Sequence, residues 1–326
     1  MKQPYFTGPF AAMCEQFVTQ KRALGYDYTQ QAMLLRMFDN FSKSFVVEPY
    51  VITEELALAW YEKRPNEANI TRYGRVMEMQ RFAEYLGNQG YPSFAIKESP
   101  IKSSTHSPYI FTKDEIHRLF SVLDALPFCA ASPTRHIVMP MLFRVLYGCG
   151  LRISEALALR ISDVNFSDGI IHVYHGKNGR ERLVPMSPSL AKQCATYADN
   201  LLADKAPSDY FFFHMLEEPY SRSSIKNAFR GFLWDAGIAY LGKDRGPSVH
   251  DIRHTFVCHR LNQWALDGVD LTAVLPILSK YLGHTSITAT EWYLRLTAEV
   301  YPEVIKKMDK FTAGIYPKPW EVTDCE

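Results

Sequence analysis

The chain has 326 residues, 47% of them apolar and 22% charged, and a formal net charge of +1. That length and apolar content suit two folded domains with a sizeable core. The longest apolar stretches, such as 137–146 with its internal Arg144, fall short of the ~18 residues needed to cross a bilayer, so no membrane partner is expected. The opening Met-Lys-Gln-Pro-Tyr-Phe lacks the long apolar region of a secretory signal, and cytoplasmic residence is the expectation. Six cysteines, at 14, 129, 149, 194, 258 and 325, show no C-x-x-C spacing and read as reduced, mostly buried thiols. A near-neutral chain has no global cationic excess to offer a polyanion, so any binding of that kind must rest on local distribution.

In chain order, residues 9–24, 29–45, 53–64 and 69–87 carry apolar side chains at three and four spacing, which predicts four short helices. Thr53 before two glutamates and Asn69 before Ile70 mark helix starts, and Gly25, Pro49, Pro65 and Gly87 or Gly90 punctuate the ends. The expected architecture is a compact helical bundle over 1–98. Residues 97–108, rich in Ser, Pro and Lys, supply the linker, placed at 99–108, and a second domain spans 109–326.

That second domain opens on Thr112-Lys-Asp-Glu, a capping box for a helix over 113–126. A helix over 133–147 is stopped by Gly148 and Gly150, which puts Arg152 at a turn leading into the next helix. Residues 170–175 and 181–185 alternate like strands around Gly176-Lys-Asn-Gly, so Lys177 sits on a projecting hairpin tip. Helices follow at 187–203, 221–236, 248–266, 271–282 and 286–295, and a further one at 298–311 precedes a proline-stiffened apolar tail. The fold class is mainly α with a small β-hairpin.

Five side chains in this frame form a chemical set: Arg152 in Gly-Leu-Arg-Ile-Ser-Glu, His250 and Arg253 in His-Asp-Ile-Arg-His, His284, and Tyr293 nine residues later. Guanidiniums stay charged and present a fixed fork of donors, which suits the nonbridging oxygens of a phosphodiester as charge builds on them. Arg152 and Arg253 are the candidate clamp. A tyrosine hydroxyl, with a pKa of about 10, is a poor nucleophile without a base or nearby positive charge, which His250, His284 and the arginines can supply. Lys177 is the candidate proton donor to a departing sugar hydroxyl. His250 and Arg253, three apart, share a helix face.

Here a resemblance enters. From about Tyr109 onward the chain resembles the catalytic domain of the tyrosine recombinases, also called the phage integrase family. The likeness is carried by Tyr147-Gly-Cys-Gly-Leu-Arg-Ile-Ser-Glu-Ala-Leu, His175-Gly-Lys-Asn-Gly-Arg-Glu-Arg-Leu-Val-Pro, His250-Asp-Ile-Arg-His-Thr-Phe and the His284 to Tyr293 segment, in family order and spacing. The resemblance implies that Arg152 and Arg253 bind a scissile DNA phosphate, that Lys177 protonates the leaving 5′-hydroxyl, and that His250 assists proton movement at the tyrosine. It also implies that His284 bonds a phosphate oxygen, that Tyr293 forms a 3′-phosphotyrosyl link, and that Glu155 supports the site from behind. Ile252 departs from the usual Leu but keeps an apolar face.

The resemblance further implies a core-binding helical domain in front, a double-stranded DNA partner, four protomers on two DNA sites, and no metal or other cofactor. Docking of the tail in a neighbour and packing on its own domain both stand as readings. Arg180, Arg182, Arg222, Lys226, Arg230, Lys243 and Arg245 are the local cations available to DNA, though each alone reads as a solvated polar residue. Similarity to Xer-type proteins outside the motifs is weak, which with the longer tail points to the integrase of a mobile element and to accessory proteins of that element. Three other functions remain: a type IB topoisomerase-like enzyme, a catalytically inactive DNA-binding or architectural protein, and a metalloenzyme. The His250 and His254 pair resembles H-E-x-x-H, but Asp replaces the glutamate and Arg253 lies between the histidines, where its charge opposes a metal.

Overall fold

The computed structural model describes residues 5–46, 48, 50–96, 100, 108–174, 181–214, 218–240, 242, 246–284, 286 and 288–300, apart from the side chains of 288, 289, 295 and 298–300. The chain divides into two compact units, Met1–Thr105 and His106–Glu326. No helix among the described residues is long and apolar enough to cross a membrane.

In the first unit, helices α1 (Ala11–Ala23), α2 (Thr29–Phe41), α3 (Glu54–Tyr61) and α4 (Asn69–Asn88) surround an aromatic core. Phe10, Phe17, Phe38, Trp60 and Phe82 are all buried and meet edge-on or tilted, the geometry that the ring quadrupole favours. The entry to α1 is fixed by a buried carboxylate. Asp39 accepts the backbone N–H groups of Thr7, Gly8 and Phe10 at 3.0, 2.7 and 3.0 Å, and a Cβ on Gly8 would collide with it. Arg75, also buried, bonds Glu67 and the backbone oxygens of Trp60 and Glu62.

The second unit contains α5 (Lys113–Asp124), α6 (Arg135–Cys149), α7 (Ile153–Ala158), β1 (Val164–Asn165), β2 (Ile170–Val173), β3 (Arg182–Pro185), α8 (Pro188–Leu201), α9 (Arg222–Asp235), α10 (Val249–Leu266), α11 (Leu271–Leu282) and α12 (Thr288–Val300). The expected capping box forms: Thr112 Oγ1 accepts the Glu115 N–H at 3.1 Å and the Glu115 carboxylate accepts that of Thr112 at 2.8 Å. The three strands pair antiparallel in the order β1-β2-β3, with Ile171 opposite Val184 and Val173 opposite Arg182. Strand β1 is an addition to the two strands read from the sequence, and α12 runs on to Val300, past the expected end at 295.

The core of this unit is built by α6, whose Val138, Leu142, Phe143, Val145 and Leu146 are fully or almost fully buried. Helix α10 packs against both α6 and α12. Its start is tied down by Asp251, which accepts from Ser248 and from the Tyr109 N–H, and by Thr255, which accepts from the Phe111 N–H at 3.0 Å. These bonds fix the start of α10, the helix that carries His250, Arg253 and His254. The fold is mainly helical with a small sheet, as the sequence predicts.

Candidate active site

Four local devices converge on one place. Gly150 ends α6 in the left-handed region at φ 60°, so the chain turns sharply and Arg152 caps α7. A side chain there would be strained, and a Cβ would run into the Phe256 ring. Helix α11 ends the same way at Gly283, φ 67°, where the N–H of His284 returns to Ser279 O at 3.0 Å and that of Gly283 to Lys280 O. This closing turn is the usual glycine-terminated helix end, and it sets the position of His284. Arg253 leaves the buried face of α10, and Tyr293 leaves the buried face of α12.

Arg253 bridges the two glycine-ended helices. Its guanidinium donates to Gly150 O at 2.6 Å and to Leu282 O at 2.7 Å, and it approaches His284 Nε2 at 3.4 Å. Carbonyls at helix ends have no partner within the helix and carry partial negative charge, so a buried cation is well placed there. Burial lowers the Arg253 pKa to about 10, with the neighbouring Arg152 charge acting in the same direction.

Glu155 is the counter-charge. Its side chain is almost wholly buried and accepts from Arg152 Nη1 at 2.7 Å and from the Arg152 N–H at 2.9 Å. Arg182 completes the set with bonds at 3.1 and 2.8 Å, while its Nε donates to Tyr281 O at 2.8 Å. Burial alone would raise the Glu155 pKa, yet the hydrogen bonds from Arg182 and Arg152 outweigh it and hold the carboxyl at about 2. Three guanidiniums around one carboxylate leave two positive charges in excess, an arrangement suited to a bound anion.

Tyr293 is 4% exposed. Burial raises its pKa to about 12 against the lowering effect of the Arg253 charge. Its hydroxyl meets Nδ1 of His254 at 2.8 Å. The ring of His284 lies parallel to the tyrosine ring, centroids 6.2 Å apart, and its Nδ1 meets Thr290 Oγ1 at 2.9 Å. Burial and then the charges of Arg253 and Arg152 lower the His284 pKa to about 4. His250 stands edge-on to His254 with ring centroids 4.7 Å apart, and the atoms packed around it, then Arg253, hold its pKa below the ordinary histidine value.

The structure thus unites Arg152, Glu155, Arg253, His284 and Tyr293, with His250 one ring away. Arg182 corrects the sequence reading. Taken there as a cation for DNA, it has its Nε and both terminal nitrogens committed to Tyr281 O and Glu155, and only 9% of its side chain is exposed. His254, weighed in the sequence only as half of a metal pair, has its Nδ1 on the phenol instead. No group of three or more His, Cys, Asp or Glu side chains among the described residues converges as a metal site. Arg222, Lys226 and Arg230 lie exposed on α9, with Arg230 bonded to Tyr240. Lys177, Arg180, Lys243 and Arg245 lie outside the described residues, as do most of the linker and the tail beyond 300.

The comparisons with known proteins fit this site. Residues 110–299 match the model of the phage integrase family. A protein of Sinorhizobium fredii named as an integrase/recombinase, y4rB, is 31% identical over 317 residues, covering 92% of this chain and 97% of its own length. The tyrosine recombinase XerA of Pyrococcus horikoshii is 30% identical over 276 residues, 84% of this chain and 86% of that one. The likeness to Xer-type proteins therefore extends well outside the four motifs, further than the sequence reading held. Among solved structures, the Tn1549 transposon integrase in complex with transposon right-end DNA superposes with a TM-score of 0.62 at 17% identity, over 93% of this chain and 99% of that one. The XerH recombinase bound to a palindromic difH substrate gives 0.61 at 16% identity, over 88% and 78%. The structural likenesses bear on the fold alone.

The chain belongs to the phage integrase family and is a tyrosine-type site-specific recombinase.

Proposed function

We propose that this recombinase cuts and rejoins duplex DNA through a covalent link between Tyr293 and a 3′-phosphate, and that it uses neither metal nor ATP. The observation that carries the reading is the buried Tyr293 ring lying parallel to that of His284, whose Nε2 is 3.4 Å from Arg253, and Arg253 shares Glu155 with Arg152. The attacking phenol and the two cations that would hold a phosphate then belong to one pocket.

In this mechanism Arg152 and Arg253 hold the nonbridging oxygens, and His284 adds a hydrogen bond. Preorganised donors of this kind act on charge that grows only in the transition state, where one donor is worth about 3 kcal/mol. Attack by Tyr293 forms the new P–O bond, and the 5′-oxygen leaves with a proton from Lys177. In sequence that lysine falls between the paired strands β2 and β3. His250 assists the tyrosine's proton through its contact with the His254 ring. An incoming 5′-hydroxyl reverses the step, so the phosphodiester energy is conserved in the protein link and no high-energy cofactor is consumed.

Four protomers on two duplex sites, in the cytoplasm and with accessory proteins of a mobile element, complete the reading. Membership of the phage integrase family and the relatives named as integrase/recombinase and tyrosine recombinase support duplex DNA as the partner. Exposed Arg222, Lys226 and Arg230 are surface cations suited to phosphates.

The test uses DNA fragments that flank the gene. The full chain is incubated with them, stopped with denaturant, and the covalent adducts are sequenced and digested for mass spectrometry. A nucleotide on the peptide containing Tyr293 is expected, and Tyr293→Phe should bind the same fragment without forming an adduct. Strand joining by that variant would refute the reading, and relaxation of supercoiled plasmid without exchange would move the enzyme to the topoisomerase class.

A further inference from the structure

The groups around Tyr293 differ in whether they can accept its proton, and the nearby Cys258 thiol, raised to about 11 by burial, stays protonated. Arg253 only donates. His284 faces the phenol ring with its plane, its Nδ1 engaged at Thr290 and its Nε2 turned to Arg253. The Glu155 oxygens are filled by Arg152 and Arg182. His250 meets the ring of His254. That leaves His254, whose Nδ1 lies 2.8 Å from the Tyr293 hydroxyl, within the distance that a general base requires.

We propose that His254, through Nδ1, takes the proton from the Tyr293 hydroxyl as the phenol attacks a phosphate. The inference rests on the reading of Tyr293 as nucleophile. Two neighbouring rings hold the imidazole in place, since His250 abuts it edge-on and the Trp292 ring stands at 5.8 Å on the side of α12. A phenol that donates needs Nδ1 unprotonated, so the resting ring carries its proton on Nε2. In the forward step the P–Oη bond forms, the P–O5′ bond breaks, and the phenolic proton moves to Nδ1, leaving an imidazolium. The 5′-oxygen takes its own proton from Lys177. Rejoining runs in reverse, and the imidazolium returns the proton to the departing phenolate. The need for such an acceptor follows from burial, which raises the pKa of Tyr293.

Nitrogen-15 NMR of the full chain without DNA is the first test. Nδ1 of His254 should report an unprotonated nitrogen that shifts in Tyr293→Phe, and a protonated Nδ1 would overturn the proposal. The second uses the duplex recovered from the adducts, synthesised with either oxygen or sulfur at the bridging 5′ position. A sulfur leaving group needs no proton donor, so Lys177→Ala should recover on it. His254→Ala and His254→Asn should cleave about 100-fold more slowly on both substrates, the scale of general-base catalysis, while still binding the duplex in gel shifts. Asn keeps an acceptor near the Nδ1 position but cannot take the proton. Full rate in His254→Asn would reduce His254 to a positioning residue, and recovery of either variant on sulfur would move it to the leaving group; each result overturns the proposal. A dead Tyr293→Phe beside a fully active His254→Asn would sink this inference alone, whereas a Tyr293→Phe that still cleaves would sink the nucleophile reading itself.

Discussion

Arg182 grips both oxygens of the Glu155 carboxylate, at 3.1 and 2.8 Å, from the base of the β2–β3 hairpin. Because Glu155 also holds Arg152 and Arg182 also holds Tyr281 O, one ion pair joins the sheet, the start of α7 and the end of α11. A loss at this pair should disturb the whole site.

Arg182→Ala leaves a buried carboxylate with half its partners. Breaking a buried pair from one side costs about 3–5 kcal/mol, and urea unfolding of the variant should show a loss of that order. Arg182→Lys keeps the charge but not the fork, so it should recover only part of the stability. A wild-type midpoint in Arg182→Ala would mean the pair is held only by its surroundings.

Glu155 and His284 act on stability in the same direction. Glu155 is held at about 2, below its ordinary 4.5, so the stability it contributes is full above about pH 4.5 and is lost as pH falls through 2. His284 is held at about 4, below its ordinary 6.5. The unfolded chain therefore takes up this proton first, and stability begins to fall below about pH 6.5, with the loss complete by about pH 4. An anion on the arginines offsets the charge that depresses His284. Inorganic phosphate or vanadate should accordingly raise the His284 midpoint in an NMR titration, and an unmoved midpoint at saturating anion would place the anion elsewhere.

Much of this was legible in the sequence, and the reasons differ by element. The helices announced themselves because apolar residues recur at helical spacing, and the caps at Thr53 and Thr112 because their side chains accept the first free N–H groups. Strand β1 escaped because two residues carry no alternation. Arg182 was misread because a cation in a strand beside a hairpin looks solvated until the carboxylate it meets, 27 residues away, is in view. His254 escaped for a related reason. Next to Arg253 and four residues from His250, it invites a local reading, whereas its partner on α12 lies 39 residues on. Sequence spacing shows which residues share a helix face but not which helix comes to lie opposite.

Gly150 offers a backbone test of the same assembly. Its φ of 60° disfavours any L side chain by about 1–2 kcal/mol, and a Cβ would displace the Phe256 ring at an added overpacking cost. Its carbonyl also receives Arg253. Gly150→Ala should therefore lose about 2–4 kcal/mol of stability in urea and slow DNA cleavage as well, because the clamp moves with the turn. Unchanged cleavage in a destabilised protein would show that Arg253 keeps its place without that carbonyl.

Arg152 and Arg253 should answer differently to the same substitution. Arg253 is 2% exposed and spends two donors on the ends of α6 and α11, so its fork serves structure and chemistry together. The Arg152 side chain is 19% exposed and gives one observed bond, to Glu155, which leaves more of its fork for a ligand. A lysine in either place keeps the charge and loses the planar pair of donors. Arg152→Lys should thus reduce cleavage by roughly 100- to 1,000-fold, the effect of one lost oxyanion donor, with unfolding close to wild type. Arg253→Lys should lose a comparable factor in cleavage and also several kcal/mol of stability, because two buried helix-end carbonyls lose their partner. The measurement is a pair of urea curves beside single-turnover cleavage of the same duplex. Equal stability losses in the two variants would contradict the division of labour drawn from their burial, and full cleavage by either would remove that arginine from the clamp.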